Sequence, residues 1–170
     1  QDKLSLEEVE NIISQLQQSY SGVEDYECLF NKQERVDGEL LPMETIRLKF
    51  KKPFSVYMKW IEEPRKGMEV IYVRGKNEGK MIAHPGSFPD ITVRVSPTGK
   101  LAMRQNRHPV TEVGIGHAIG SIWNGVASAR AKLWDEVQFF DLGTKMVNGE
   151  RSQCFEAVTP ASRDNVYYAH

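Results

Sequence analysis

The stretch PFSVYMKWIEEPRKGMEVIYVRG, residues 53–75, alternates apolar and polar side chains on both sides of the turn-like segment EEPRKG. Because successive side chains of a strand point to opposite faces, this period of two is typical of strands with one buried face. We therefore predict an antiparallel hairpin at this place. One of its faces carries Phe54, Val56, Met58 and Trp60, either as a plain core or as an apolar surface for a ligand.

The same period of two extends through most of the first half of the chain. Turn signals interrupt it at intervals of roughly ten residues, which is the spacing of an antiparallel meander. The predicted strands are residues 26–36, 44–51, 54–61, 68–74, 80–84 and 91–96. In the segment 44–51, one face carries Ile46, Leu48 and Phe50, and the other carries Arg47, Lys49 and Lys51. A sheet with this many strands twists and tends to curl into an open half-barrel.

Helical periodicity flanks this meander. A capping-box pattern, Ser5 followed by Glu8, and apolar residues at helical spacing predict a helix over residues 5–20. A second helix is predicted within residues 108–136. Its glycines indicate a helix that is short, broken near Asn124-Gly125, or tightly packed.

The remaining elements complete the predicted fold class. Asn148-Gly149, between two strand-like runs, predicts a second hairpin. The fold class is α+β: a large curved antiparallel sheet, an open half-barrel, with helices covering its concave face. We expect a single domain over residues 1–170. Because the last segment, DNVYYAH, ends inside a predicted strand, we also expect some native C-terminal residues to be missing.

Composition restricts the possible partners. The chain has 22 basic and 23 acidic residues and a net charge of -1, so no overall field attracts nucleic acid. No apolar run approaches the ~20 residues that span a bilayer, so we expect no transmembrane segment. The first residues, QDKLSLEEVE, have no signal-peptide pattern.

No motif of a known catalytic or metal site is present. The four histidines are scattered and lack the spacing of metal ligands, so the sequence predicts no enzyme, no metal site and no cofactor. The pair Glu62-Glu63 lies beside Arg65 and Lys66, and we expect a solvated turn there. A basic stripe that we expect on the solvated face of the sheet consists of Arg47, Lys49, Lys51 and Lys52.

Two cysteines, Cys28 and Cys154, lie in strand-like segments far apart in the chain. The residues alone leave two alternatives open: free thiols, as in most cytosolic proteins, or a disulfide, as in many secreted ones. On the loop-entropy model, a bridge across such a distance contributes at most about 4 to 5 kcal/mol.

Several segments together resemble a family of exported bacterial proteins catalogued as a domain of unknown function. They are YECLFNKQERVDGEL, LKFKKPFSVYMKW, PRKGMEVIYVRGKNEGK, RHPVTEVGI and RSQCFEAV. That family is similar in fold to the periplasmic lipoprotein carriers of the LolA type. The resemblance implies a periplasmic or otherwise exported protein with an apolar cavity between sheet and helices. Through the oxidising compartment it also implies a disulfide between Cys28 and Cys154. It supplies no catalytic residue.

Together, the pattern and the resemblance lead to one functional hypothesis. We expect a non-enzymatic envelope protein that binds a lipid, an acyl chain or a lipidated protein in that cavity. The predicted ligand-binding residues are Ile46, Leu48, Phe50, Phe54, Val56, Met58, Trp60, Val70 and Tyr72. The alternative is a sensor or scaffold domain that binds another envelope protein through a sheet edge or patch. An enzyme with an unrecognised site is a third, weaker hypothesis.

Overall fold

The computed structural model describes residues 2–131 and 137–158. Its strands, in chain order, are β1 (Asp2–Leu4), β2 (Asp25–Lys32), β3 (Arg35–Val36), β4 (Glu39–Leu40), β5 (Glu44–Lys51), β6 (Ser55–Trp60), β7 (Glu69–Val73), β8 (Met81–His84), β9 (Val93–Val95), β10 (Gln138–Val147) and β11 (Glu150–Val158). Its α-helices are α1 (Leu6–Ser21), α2 (Lys100–Met103) and α3 (Ile115–Arg130). The chain divides into two compact units: a central unit, Gly22–Gly114, and a flanking unit formed by the chain on either side. That they make up a single domain stays a prediction.

The central unit contains a six-stranded antiparallel sheet in the order β2-β5-β6-β7-β8-β9. The sheet is open, because β2 and β9 lie at its two edges and do not pair with each other. Neighbouring strands follow one another in the chain, apart from the short pair β3 and β4 between β2 and β5. The predicted α+β fold with an open antiparallel meander is therefore confirmed.

The predicted first strand, 26–36, is too long. In the large sheet, β2 ends at Lys32. The next residues form β3 and β4, a separate two-stranded ladder around Asp37 and Gly38. Both turn residues have positive φ, +51° and +83°, as a tight two-residue hairpin turn requires. The Asp-Gly turn therefore closes a small hairpin of its own. The other predicted strands differ from the observed ones by no more than two residues at either end.

The strand register aligns like side chains across the sheet. Ile46 lies opposite Trp60, Leu48 opposite Met58, and Phe50 opposite Val56. The apolar face, as we call it, carries Ile46, Leu48, Phe50, Val56, Met58, Trp60, Val70 and Tyr72. The opposite side, the charged face, carries Arg47, Lys49, Lys51, Tyr57, Lys59, Glu69 and Ile71.

The flanking unit joins a three-stranded sheet, in the order β1-β10-β11, to two helices that pack on each other, α1 and α3. Its core consists of Val9, Ile13, Ile119, Val126 and Phe139. The predicted capping box begins α1: the Ser5 N–H donates to Glu8 Oε2 at 2.8 Å, and the Glu8 N–H donates to Ser5 Oγ at 3.3 Å. The hydrogen bond from the Ser5 backbone lowers the pKa of Glu8. The predicted hairpin at Asn148-Gly149 is confirmed, with φ of +51° and +85° at its turn.

Among the alternatives for the glycine-rich second helix, a break near Asn124-Gly125 is not observed, whereas close packing is observed at Gly116. α3 is continuous through Gly125. A Cβ built at Gly116 would lie 2.6 Å from Tyr20 Cε1, so only glycine allows α1 and α3 to approach this closely there. Residues 132–136 of the predicted helix and the predicted strand in DNVYYAH lie outside the described residues.

The two long helices both belong to the flanking unit. That they cover the concave face of the six-stranded sheet stays a prediction. None of the helices in residues 2–131 and 137–158 is long and apolar enough to cross a membrane.

Candidate functional site

The predicted ligand-binding residues come together on the apolar face and are all buried. With Met81 and Val95 they form one cluster of eleven buried side chains. Phe54, which directly precedes β6, joins it through its ring. This grouping is what the alternation predicted. That the cluster binds a ligand stays a prediction, because a plain core has the same burial.

An aromatic row crosses the apolar face at one end. The rings of Tyr26 and Phe50 stack at 5.2 Å between centroids, and Phe50 meets Phe54 edge-on at 5.3 Å. Phe54 in turn meets Tyr72 edge-on at 5.9 Å. The Arg74 guanidinium lies 4.7 Å from the Phe54 ring centroid and adds a cation–π contact to this ring of the row. Pairs of aromatic rings in these arrangements contribute about 0.5 to 1.5 kcal/mol each to stability beyond the effect of their buried area.

The central unit covers part of this face with its own segment 100–113. This segment contains α2 and a 3-10 turn at Val110–Glu112. It contributes three partly buried side chains to the cluster: Ala102, Val110 and Val113. The cover is therefore short and contains no helix longer than four residues.

Polar contacts hold this cover segment to the end of β2. The Lys32 ammonium contacts Asn106 Oδ1 and lies 3.3 Å from Glu34 Oε2. The Arg107 N–H donates to the same Glu34 oxygen at 3.1 Å, and Asn106 Nδ2 donates to the Ala102 carbonyl at 2.7 Å. The segment is thus attached through a small charged cluster at one end of the sheet.

A buried carboxylate lies beside that cluster. Glu44 is only 5% exposed, at the first position of β5, and faces the same way as Ile46. Arg65 Nε donates to Glu44 Oε1, and Lys32 Nζ lies 3.4 Å from Glu44 Oε2 without hydrogen-bond geometry. The Arg65 guanidinium also lies 5.4 Å from the Trp60 ring centroid. Arg65 therefore bridges the carboxylate and the indole.

Two buried polar atoms at this place have no hydrogen-bond partner within the described chain: Glu44 Oε2 and Trp60 Nε1. A buried polar group without a partner costs about 1 to 3 kcal/mol, so native proteins rarely leave one in place without a reason. Here the Glu44 oxygen, an acceptor, and the Trp60 N–H, a donor, both lack a hydrogen bond on neighbouring strands of the same face.

The sequence interpretation missed this group. It treated Arg65 as part of a solvated turn, whereas the Arg65 side chain is 21% exposed and packs on Trp60. Glu44 was not singled out. The signal was present, because positions 44, 46, 48 and 50 have the same parity and the last three are apolar.

The charged face has a different chemistry. Glu27 of β2 lies 3.7 Å from Arg47 and 3.2 Å from Lys49, with all three side chains about half exposed. Lys59 Nζ donates to Glu69 at 2.8 Å, which raises the pKa of Lys59 and, together with a hydrogen bond from Tyr57, lowers the pKa of Glu69. Arg47, Lys49 and Lys51 of the predicted basic stripe thus lie on the solvated face, and Arg47 and Lys49 share the ion pair with Glu27. An open groove of about 330 Å³ also lies on this side.

The predicted disulfide between Cys28 and Cys154 is not formed in the structure, where both are free thiols. Cys28 lies in the six-stranded sheet opposite Leu48, whereas Cys154 lies in the three-stranded sheet opposite Gly143. The two cysteines therefore share no strand ladder that would align them. Desolvation by burial, followed by the Glu27 charge, raises the pKa of the Cys28 thiol.

Acidic, histidine and cysteine side chains do not gather into a metal site in residues 2–131 and 137–158. His108 Nδ1 lies 2.9 Å from Glu112 Oε2, and the His84 ring contacts Asp90 and the Gly86 N–H.

The family model for "Protein of unknown function (DUF1571)" matches residues 23–170. The chain belongs to this family. The predicted membership in a family of unknown function is thereby confirmed, whereas the similarity to carriers of the LolA type stays a prediction. A crystal structure of a DUF1329 family protein from Desulfovibrio piger is similar to the chain with a TM-score of 0.43 and 13% identity. The match covers 96% of this chain and 65% of that one, so this chain spans about two thirds of its length. No protein of curated function matches the chain.

Proposed function

We propose that the protein is a non-enzymatic carrier that binds a lipid, an acyl chain or the lipid of a lipidated protein on the apolar face. One observation carries the proposal. The apolar cluster has eleven buried side chains, and the segment 100–113 of the central unit packs only three partly buried side chains on it. A large apolar surface under a short, helix-poor cover suits a site that has to open. The aromatic rings and Met58 adapt well to irregular hydrocarbon guests.

Hydrocarbon burial supplies sufficient affinity for such a role. Each buried methylene contributes about 0.8 kcal/mol, so a chain of about a dozen carbons contributes on the order of 10 kcal/mol before ordering costs. No catalytic group or net charge is needed. A carrier of this kind is therefore compatible with a chain that has no recognisable catalytic motif.

Entry of the guest requires the cover to move, because the side chains of the apolar face are buried. The segment 100–113 is attached at the Lys32–Asn106 and Glu34–Arg107 contacts, which lie at one end of the sheet. We propose that this segment swings away about that end. As the resemblance implies, the site of action would be the bacterial envelope.

The test uses the full chain and an apolar fluorescent probe, 1-N-phenylnaphthylamine. We expect the probe to brighten on binding and to be displaced by 1-dodecanol, and amphiphiles to appear in native mass spectra of protein purified from its own envelope. Met58→Gln is expected to weaken probe binding by about tenfold, since it makes the apolar face polar. The matched control, Lys59→Gln, changes the next residue on the charged face and is expected to leave binding unaltered.

Folding of both variants is checked by urea unfolding. If Met58→Gln does not fold, Phe54→Leu replaces it, because it removes a ring of the same face while keeping it apolar. No probe binding by the wild-type protein, together with no co-purified amphiphile, would contradict the proposal.

One observation favours the alternative of a scaffold domain. Phe88 is 96% exposed on the loop between β8 and β9. Its loop is held against the β6–β7 turn, where a Cβ on Gly86 would lie 2.2 Å from the Gly67 carbonyl carbon. A fixed loop with the exposed ring of Phe88 is suited to binding in a pocket of a partner protein. Under this alternative, Phe88→Ser abolishes cross-linking to an envelope protein in the native cell, whereas Ser87→Ala does not.

A further inference from the structure

The starting point is a pair of buried atoms without a hydrogen-bond partner at one end of the apolar face, Glu44 Oε2 and Trp60 Nε1. Lys32 Nζ lies 3.4 Å from the Glu44 oxygen as an ion pair, but it makes no hydrogen bond to it. Trp60 lies opposite Ile46 in the ladder between β5 and β6, and Glu44 precedes Ile46 by two residues on the same face. The two side chains are therefore diagonal neighbours, a separation that long and aromatic side chains span. Arg65 touches both, through its hydrogen bond to Glu44 and its stacking on Trp60.

The two atoms need opposite partners. The Glu44 oxygen accepts a hydrogen bond and the Trp60 indole N–H donates one. A group that satisfies both has to donate and accept at the same time. A hydroxyl group does this with a single oxygen atom, whereas an ether accepts only and an ammonium donates only.

The charges around the pair favour a neutral group. The cations at this place, Lys32 and Arg65, are already engaged by Glu44, and Lys32 also by Glu34. A carboxylate head group would bring a second negative charge next to Glu44 Oε2, where Lys32 and Arg65 already pair with Glu44. A neutral hydroxyl meets no such opposition.

We propose that Glu44 and Trp60 form a subsite for the hydroxyl group of a neutral amphiphile, such as a long-chain alcohol or a glycerol ester, whose hydrocarbon chain lies along the apolar face. The inference rests on the proposed function, because the hydroxyl reaches this place only if the chain occupies the face. It assigns the head group as well as the tail of the ligand. The alternative occupant of this position is a structural water, which donates and accepts hydrogen bonds as a hydroxyl group does.

A pair of matched ligands separates these cases. 1-Dodecanol and its methyl ether, 1-methoxydodecane, have the same alkyl chain, but only the alcohol can donate a hydrogen bond to Glu44. Both are used to displace 1-N-phenylnaphthylamine from the full chain, and the measured quantity is the ratio of their dissociation constants. A face without polar partners would prefer the ether, because the alcohol loses its hydration there. With the proposed subsite, the alcohol is expected to bind about tenfold more tightly than the ether.

The variants test which atoms produce that preference. Trp60→Phe removes the indole N–H and keeps an aromatic ring, so the alcohol-to-ether preference is expected to fall to about threefold or less. Glu44→Gln replaces Glu44 Oε2 by an amide NH2 group, which donates and does not accept, and it is expected to lower the preference too. Trp123→Phe on α3 is the matched control, and the wild-type preference is expected to remain. Because the ratio is taken within one variant, a general loss of affinity cancels.

Three outcomes overturn the inference, and they differ in what they say about the carrier. If alcohol and ether displace the probe equally well, Glu44 and Trp60 do not bind the hydroxyl group and a structural water occupies their position. The carrier proposal then stands. If the wild-type preference for the alcohol survives Trp60→Phe and Glu44→Gln, the hydroxyl binds elsewhere on the face. If neither ligand displaces a probe and no probe binds, the carrier proposal fails and the subsite fails with it.

Discussion

The two faces of the six-stranded sheet are built from alternate residues of the same strands, yet they follow different rules. The apolar face packs ring on ring and tolerates one carboxylate, Glu44, only with two cations beside it. The charged face is held by exposed ion pairs such as Lys59–Glu69. The contrast shows that a cation beside a carboxylate contributes differently to the free energy of unfolding on the buried face and on the exposed face.

The largest difference between the faces is expected from truncating a single side chain. Ile46 is fully buried, so Ile46→Ala should lower the free energy of unfolding by about 2 to 5 kcal/mol through lost burial and a cavity. Its neighbour on the charged face is the control, and Arg47→Ala should change it by less than about 0.5 kcal/mol. Urea unfolding followed by tryptophan fluorescence measures both. Equal effects would mean that the two faces are not distinct.

The next largest effect is expected at the Glu44 ion pair. Arg65→Met removes the cation over the Trp60 ring and a hydrogen bond to a buried carboxylate, and the lost hydrogen bond alone should cost about 1 to 3 kcal/mol. Lys59→Met removes the cation of an exposed pair and is expected to cost less than about 1 kcal/mol. The comparison is again made by urea unfolding. A smaller loss for Arg65→Met than for Lys59→Met would contradict the assignment of Glu44 to the core.

A smaller, pH-dependent effect is expected on the charged face. The hydrogen bond from Lys59 lowers the pKa of Glu69 below its ordinary value of 4.5. A carboxyl group whose pKa is lower in the folded state stabilises the fold above the unfolded-state pKa and loses that contribution as the pH falls through the folded-state pKa. The stability difference between the wild type and Glu69→Gln should therefore be full at pH 7 and shrink below about pH 4.5. A difference that stays constant down to pH 3 would show that the pair contributes nothing through its charge.

The smallest effect is expected for Glu27, which lies near Arg47 and Lys49 at an exposed position. Glu27→Gln should cost no more than about 0.5 kcal/mol at low salt. Since the screening length falls to about 3 Å in 1 M salt, the difference should vanish in 1 M NaCl. Thermal unfolding at two salt concentrations checks this. A salt-independent loss would indicate packing by the Glu27 side chain instead of charge.

Local features of the sequence predicted much of the fold. The alternation in residues 44–51 and 53–75 placed the apolar side chains on one face, because neighbouring side chains of a strand point apart whatever surrounds them. The capping box at Ser5 and the turn at Asn148-Gly149 were likewise predicted, since both depend on contacts within a few residues.

Features that depend on distant residues were missed or left open. The close approach of α3 to α1 depends on the contact between Gly116 and Tyr20, which lie far apart in the chain. The early end of β2 reflects competition between the large sheet and the hairpin at Asp37-Gly38. The state of Cys28 and Cys154 depends on which sheet each strand joins, and spacing in the chain does not decide that.

The sequence by itself determined the two faces of the sheet, because the direction of each side chain follows from the geometry of an extended backbone. Only the tertiary structure decided that Lys32 and Arg65, from other parts of the chain, meet Glu44 on the apolar side. The physical reason is that a buried charge is stable only where partners converge on it, and such convergence is a property of the packed strands and turns, not of any one segment.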